Sequence, residues 1–160
     1  MRVRFFITSC CPRENIADIP PTVGFNIKTI QVDDLKVNVW DVGGQKSIRT
    51  FWRNYFDTTD GLVWVIDSSD RERLIACRNE LGGLLKEERL SGASLLVVAN
   101  KQDLPGALSP GEIADILDFN SIELSRHCAV LRCSALIRES VTDCLNWIIH
   151  DIGDRIYTLR

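Results

Sequence analysis

No apolar run in these 160 residues approaches the roughly twenty needed to span a bilayer. The start does not have the form of a signal peptide either. Met1 to Phe6 carries two arginines, and its apolar stretch is too short. Arginine at position two does not suit N-myristoylation at this start, so no stable membrane anchor is expected. Positive charge is in deficit: 19 Lys and Arg stand against 22 Asp and Glu, for a net charge of −3. A nucleic-acid binder would usually carry a basic excess, so that class of partner is excluded. Histidine is scarce, with two residues, and none of the six cysteines forms a Cys-x-x-Cys pair. A zinc site is therefore not expected, and free thiols in a reducing, cytoplasmic setting are. Internal repeats, linkers and low-complexity segments are also lacking.

The composition that is present is that of an ordinary globular protein, 45% hydrophobic and 26% charged. The length suits one domain, expected to be a monomer, with a core large enough to need no disulfide or metal staple. Strands and helices alternate, which predicts an α/β fold with a mostly parallel sheet covered on both faces. Gly24 to Val32 and Leu35 to Val42 read as strands, and Asp33-Asp34 makes them an antiparallel hairpin. Gly61 to Asp67 and Ser94 to Asn100 are continuous apolar runs, the pattern of strands buried on both faces. Arg71 to Arg89 reads as a helix with Leu74, Cys77, Leu81, Leu84 and Leu85 on one stripe. A second helix starts at Ser109, with Pro110 in the first helical position and Glu112 closing a capping box. Ala129 to Cys133 is a short strand. The last helix, Ser140 to Tyr157, repeats apolar residues near 3.6 spacing: Val141, Cys144, Leu145, Ile148, Ile149, Ile152 and Ile156.

The polar segments of interest follow strands, where ligands of open α/β sheets lie. Asp41-Val-Gly-Gly-Gln45 is either a plain Gly-Gly turn or a site where Asp41 holds Mg²⁺ through water and a glycine N–H meets a phosphate. Asn100-Lys-Gln-Asp103 is either a solvated turn or a base reader. The Asp103 carboxylate can accept two parallel hydrogen bonds from guanine N1–H and its 2-amino group, a donor pair that adenine lacks. Cys133-Ser134-Ala135 says little alone, but a backbone N–H there could contact the guanine carbonyl. In Pro21-Thr22-Val23-Gly24-Phe25-Asn26 the Thr22 hydroxyl could coordinate Mg²⁺. By itself the segment reads more simply as a strand entry.

Together these segments resemble the Arf family of small GTPases. Asp41-Val-Gly-Gly-Gln45 followed by Trp52-Arg53-Asn54-Tyr55-Phe56 is highly specific to that family, and the likeness runs from about Ile19 to Tyr157. The resemblance implies a three-layer, Ras-like P-loop NTPase fold and a GTP/GDP switch whose hydrolysis is slow and assisted by a partner. It implies Thr22 and Asp41 at Mg²⁺, Gly44 at the third phosphate and Gln45 orienting the attacking water. Asn100 and Asp103 would read guanine, with the Lys101 stem over the purine and Ser134 and Ala135 near its carbonyl oxygen. Phe25, Trp40 and Tyr55 match the triad shown to effectors, although core packing would equally explain each ring. The implied partners are guanine nucleotide, effectors and activating proteins, among them tubulin-folding proteins and carriers of lipidated cargo.

The family's phosphate loop, Gly-x-x-x-x-Gly-Lys-Ser/Thr, has no counterpart here: no glycine precedes Gly24 and no lysine precedes Lys28. Residues 1–18 read as an atypical leader on a family domain, 19–160, truncated at its amino end. The first strand, phosphate loop and first helix are then missing or replaced. Arg2 to Thr8 reads as a poor substitute for the first strand, which should be central. Val3, Phe5 and Ile7 would suit one face, but Arg2 and Arg4 would put unpaired charge on the other. Sheet edges would then be left without a neighbour. Losing about five phosphate contacts at roughly 1.5 kcal/mol each costs about 7 kcal/mol, on the order of 10⁵-fold in affinity. The alternative to a switch is therefore a weakly binding or nucleotide-independent isoform that presents Phe25, Trp40 and Tyr55 to effectors.

Overall fold

Among the described residues, six strands, β1 (Arg2–Ser9), β2 (Phe25–Val32), β3 (Leu35–Val42), β4 (Gly61–Asp67), β5 (Ser94–Asn100) and β6 (Cys128–Arg132), form one sheet in the order β2-β3-β1-β4-β5-β6. The structure, a computed structural model, describes residues 2–9, 24–32 and 34–158. All pairings are parallel except the β2–β3 hairpin. Among the described residues, four helices surround the sheet: α1 (Leu74–Leu84), α2 (Pro110–Ile116), α3 (Phe119–Glu123) and α4 (Arg138–Thr158). A 3₁₀ segment, Arg49–Thr58, links β3 to β4.

The place of β1 corrects the expectation that Arg2 to Thr8 is a poor central strand. It lies between β3 and β4, parallel to both, with Val3 opposite Val37 and Ile7 opposite Val63. Val3 and Thr8 are fully buried. The charge problem is met at the amino end of the sheet. Arg4 N–H donates to the Asp60 carboxylate at 2.9 Å, and the Arg4 charge acts on that same carboxylate. Burial raises the Asp60 carboxyl on balance, with the Arg4 backbone bond and charge opposing it, so the Arg4 main chain is tied to that carboxylate at the rim and the sheet keeps its central strand.

Strand periodicity divides the core in two. Leu62, Trp64, Ile66, Leu95, Val97 and Ala99 point to the face covered by α1, α2 and the 3₁₀ segment, where Phe56, Leu81 and Ile113 are buried. Val63, Leu96 and Val98 point to the other face, against Cys144, Ile148, Ile149 and Ile152 of α4. The last helix begins two residues earlier than its apolar pattern suggests. The first helix is shorter than expected, because Arg71–Arg73 and Glu88–Leu90 are separate 3₁₀ turns and Glu87 is extended. The capping box is formed: Ser109 N–H donates to Glu112 Oε2 at 2.9 Å, and Glu112 N–H to Ser109 Oγ at 3.2 Å. Cys128, Cys133 and Cys144 are free thiols, whereas Cys77 is disulfide-bonded. Spacing alone cannot show which thiols a fold brings together, so the expectation of free thiols throughout fails there. No helix among the described residues is long and apolar enough to cross a membrane.

Candidate functional site

Parallel pairing puts the carboxyl ends of β4, β5 and β6 side by side, and three loops leave the sheet there. Asp67 is in register with Asn100, and Ala99 with Arg132. Each loop is tied to the next by hydrogen bonds. Ser134 Oγ donates to Asp103 Oδ1 at 2.6 Å, and Ala135 N–H donates to Asn100 Oδ1 at 3.0 Å. Gln102 N–H donates to the Cys133 carbonyl at 3.0 Å, and its side chain donates to the Leu108 carbonyl at 2.8 Å. Five residues singled out from the sequence, Asn100, Lys101, Asp103, Ser134 and Ala135, are thus brought together.

Ser134 is the buried member, 2% exposed, while Asp103 and Ala135 face outward. Its backbone is held by Ser140, whose Oγ accepts from Ser134 N–H at 3.0 Å and donates toward the Ser134 and Ile137 carbonyls. Lys101 is one of two described non-glycine residues at positive φ, at 65°. Such a backbone costs on the order of 1–3 kcal/mol and persists only where its surroundings fix it. Here the fixing contact is an ion pair, Lys101 Nζ to Asp67 Oδ2 at 2.7 Å. Burial pushes the Asp67 carboxyl up. The Lys101 ammonium and the hydrogen bonds from Ser69 outweigh this and hold it below the ordinary carboxylate value.

Asp67, Ser69 and Ser140 were missed in reading the sequence. Asp67-Ser-Ser-Asp70 at the end of a buried strand was the available signal. Ser69 N–H and Oγ both donate to Asp67 Oδ1, an Asx-type turn that aims the other oxygen at Lys101.

Asp41, Gly44 and Gln45 stand on a separate loop after β3. Asp41 is half-buried, opposite Ile7 of the central strand. Gly43 and Gly44 are buried; Gly43 N–H donates to the Gly24 carbonyl at 3.0 Å, drawing this loop to the start of β2. Trp52 Nε1 donates to the Gly43 carbonyl at 3.0 Å and Arg49 Nε to the Gly44 carbonyl at 3.1 Å. Gln45 is half-buried and its carbonyl accepts from Ile48 N–H at 2.9 Å. Thr22 lies outside the described residues. Phe25, Trp40 and Tyr55 form one aromatic cluster, with Phe25–Tyr55 centroids 5.7 Å apart and Trp40–Tyr55 centroids 4.8 Å apart. Phe25 is 56% exposed, so core packing does not account for that ring.

The sequence profile of the ADP-ribosylation factor family matches residues 7–152. The chain belongs to that family. As a member of the ADP-ribosylation factor family it is an Arf-like small GTPase, of the GTP-binding switch class. It is 55% identical over 146 residues to ADP-ribosylation factor-like protein 2 of Arabidopsis thaliana, and 56% identical over 146 residues to the Drosophila melanogaster protein of that name. Both alignments cover 91% of this chain and 79% of the relative. The fold is shared with the Arl6 (BBS3) small GTPase of Trypanosoma brucei, solved with the bound nucleotide analogue GppNp. The TM-score is 0.86 at 25% identity, over 96% of this chain and 99% of that one. The Ras-like, mostly parallel sheet with one antiparallel hairpin is thereby established for this family member.

Proposed function

We propose that this chain is a guanine-nucleotide switch whose base-reading end is fully built and whose grip on phosphate is weak. The observation that carries the first half is the pair of cross-loop hydrogen bonds, Ser134 to Asp103 and Ala135 to Asn100. They hold the Asp103 carboxylate and the Asn100 amide on one rim before any ligand arrives, which lowers the ordering cost of binding. Asp103 would accept from guanine N1–H and the 2-amino group. The Lys101 stem, held by Asp67, would lie over the purine, with Ser134 and Ala135 near its carbonyl oxygen. Asp41 and Thr22 are the groups we assign to Mg²⁺, which when bound neutralises phosphate charge. Gly44 N–H is assigned to the third phosphate, and Gln45 to orienting water.

The second half rests on the connection between β1 and β2. With β1 central, the stretch of sequence that leaves it is residues 10–23, which contain neither glycine nor lysine. The chemistry of an amide-lined phosphate cradle needs both. One observation favours the alternative of a nucleotide-insensitive interaction protein: the Phe25–Tyr55–Trp40 cluster is already assembled and partly exposed. Effectors, including tubulin-folding proteins and carriers of lipidated cargo, are the partners proposed for it, in the cytoplasm.

Base choice tests the reading. Two hydrogen bonds to a carboxylate at about 1.5 kcal/mol each amount to about 3 kcal/mol, or on the order of 100-fold. Guanosine should bind about tenfold more tightly than inosine, which keeps N1–H and lacks only the 2-amino group, so that one of the two bonds is lost. Asp103→Asn should transfer preference to xanthosine, whose 2-carbonyl accepts from an amide. Equal affinity of the unmodified chain for all three nucleosides would dismiss the assignment.

A further inference from the structure

Away from the nucleotide loops, an open groove of about 580 Å³ runs between the outer side of α1 and the α2–α3 corner. Its chemistry is lopsided. Arg78, Lys86 and Arg126 contribute three positive charges, and Asp118 is the single carboxylate of the lining. That carboxylate is already engaged, accepting from Ser121 Oγ at 3.0 Å and lying 3.9 Å from Arg78. Among the described residues, no carboxylate forms a salt bridge with Lys86 or Arg126. Arg126 is compensated by dipoles alone: its Nη1 donates to the Leu90 and Ala93 carbonyls, and its Nη2 to the Leu85 carbonyl. Its Nε is buried without a partner.

The floor of the groove is equally unusual. Gly82 and Gly83 sit side by side within α1, although glycine is among the weakest helix formers. Neither has a positive φ, so no left-handed cap demands them, and a Cβ on either would meet nothing within 4 Å. Packing inside this chain therefore gives no reason for two bare backbone positions. A main chain approaching from outside would give one, since only glycine lets backbones come that close.

We propose that this groove docks an acidic peptide segment of a partner protein, its main chain against Gly82 and Gly83 and its carboxylates toward Arg78, Lys86 and Arg126. The open form and the glycine floor fit an extended peptide better than a compact anion. The proposal is independent of nucleotide binding.

The test is a titration of the isotope-labelled full chain with capped hexaglutamate, followed by amide chemical shifts, with hexaglutamine and inorganic phosphate as parallel arms. Hexaglutamate should move the amides of Gly82, Gly83, Ser121 and Ser125, and hexaglutamine should not. The double variant Arg78→Glu/Lys86→Glu should weaken binding at least tenfold. Gly83→Leu should raise the melting temperature by filling open space with a better helix former, yet weaken peptide binding at least tenfold. Shifts centred elsewhere, equal response to hexaglutamine, or the same shifts from phosphate at equal concentration would overturn the proposal. So would full binding by Gly83→Leu.

Discussion

Replacing Ser134 with alanine removes one oxygen from a site that is 2% exposed and leaves the local backbone held by Ser140. Two contacts go. One is the 2.6 Å donation from Ser134 Oγ to Asp103 Oδ1, and the other is the 3.3 Å donation from Leu136 N–H to Ser134 Oγ. A hydrogen bond to a charged group is worth about 1.5–3 kcal/mol, and the exposure of Asp103 places this one at the low end. Leu136 N–H can regain water, so its loss adds only about 0.5 kcal/mol. The sum is about 2 kcal/mol, which for a domain of this size lowers the melting temperature by roughly 4–8 °C. Urea unfolding of Ser134→Ala, Asp103→Ala and the double variant forms a cycle that isolates the pair. Coupling near 1 kcal/mol is expected, together with reduced discrimination between guanosine and inosine. Coupling below about 0.3 kcal/mol would refute the claim that this bond preorganises the rim.

Lys101→Met removes the ammonium that offsets burial of Asp67, so the carboxyl rises from its depressed value. In the unmodified chain the folded-state value lies below the unfolded one. Its stabilisation is then present above about 3.8 and lost as pH falls through the folded value. The stability difference between the two chains should be constant from about pH 6 to 8 and shrink below about pH 4, as followed by urea unfolding. A difference that instead grows on acidification would show that the ion pair is not what sets Asp67. Trp52→Phe leaves the buried Gly43 carbonyl without its indole donor and should cost about 1–3 kcal/mol in the same assay. A loss under about 0.5 kcal/mol would mean that the carbonyl finds another partner.

Much of this architecture was legible because burial on both faces writes itself into composition. The runs Gly61 to Asp67 and Ser94 to Asn100 became β4 and β5 with those bounds. The hairpin and the Ser109 cap also form from local chemistry alone. Features decided by distant partners were not legible. The charges of β1 argued against a central strand until Asp60, fifty-six residues away, supplied a partner for the Arg4 backbone. The Lys101–Asp67 ion pair needs the register of two parallel strands, which no spacing within either strand reveals. The turn between α2 and α3 rests on Asp118 at φ 54°, a conformation that its residue type permits but does not announce. At the site, the five positions proposed to read the base were singled out by their place after strands. The serines that brace them were missed because a hydroxyl's role depends on what stands opposite.

The ratio of dissociation constants for guanosine and GTP, measured on the full chain with Mg²⁺ present, tests the central claim most directly. With the rim of Asn100 and Asp103 built and no glycine or lysine in residues 10–23, the two ligands should bind within about tenfold of each other. GTP binding 10⁴-fold or more tightly than guanosine would show a phosphate cradle at work and contradict the account.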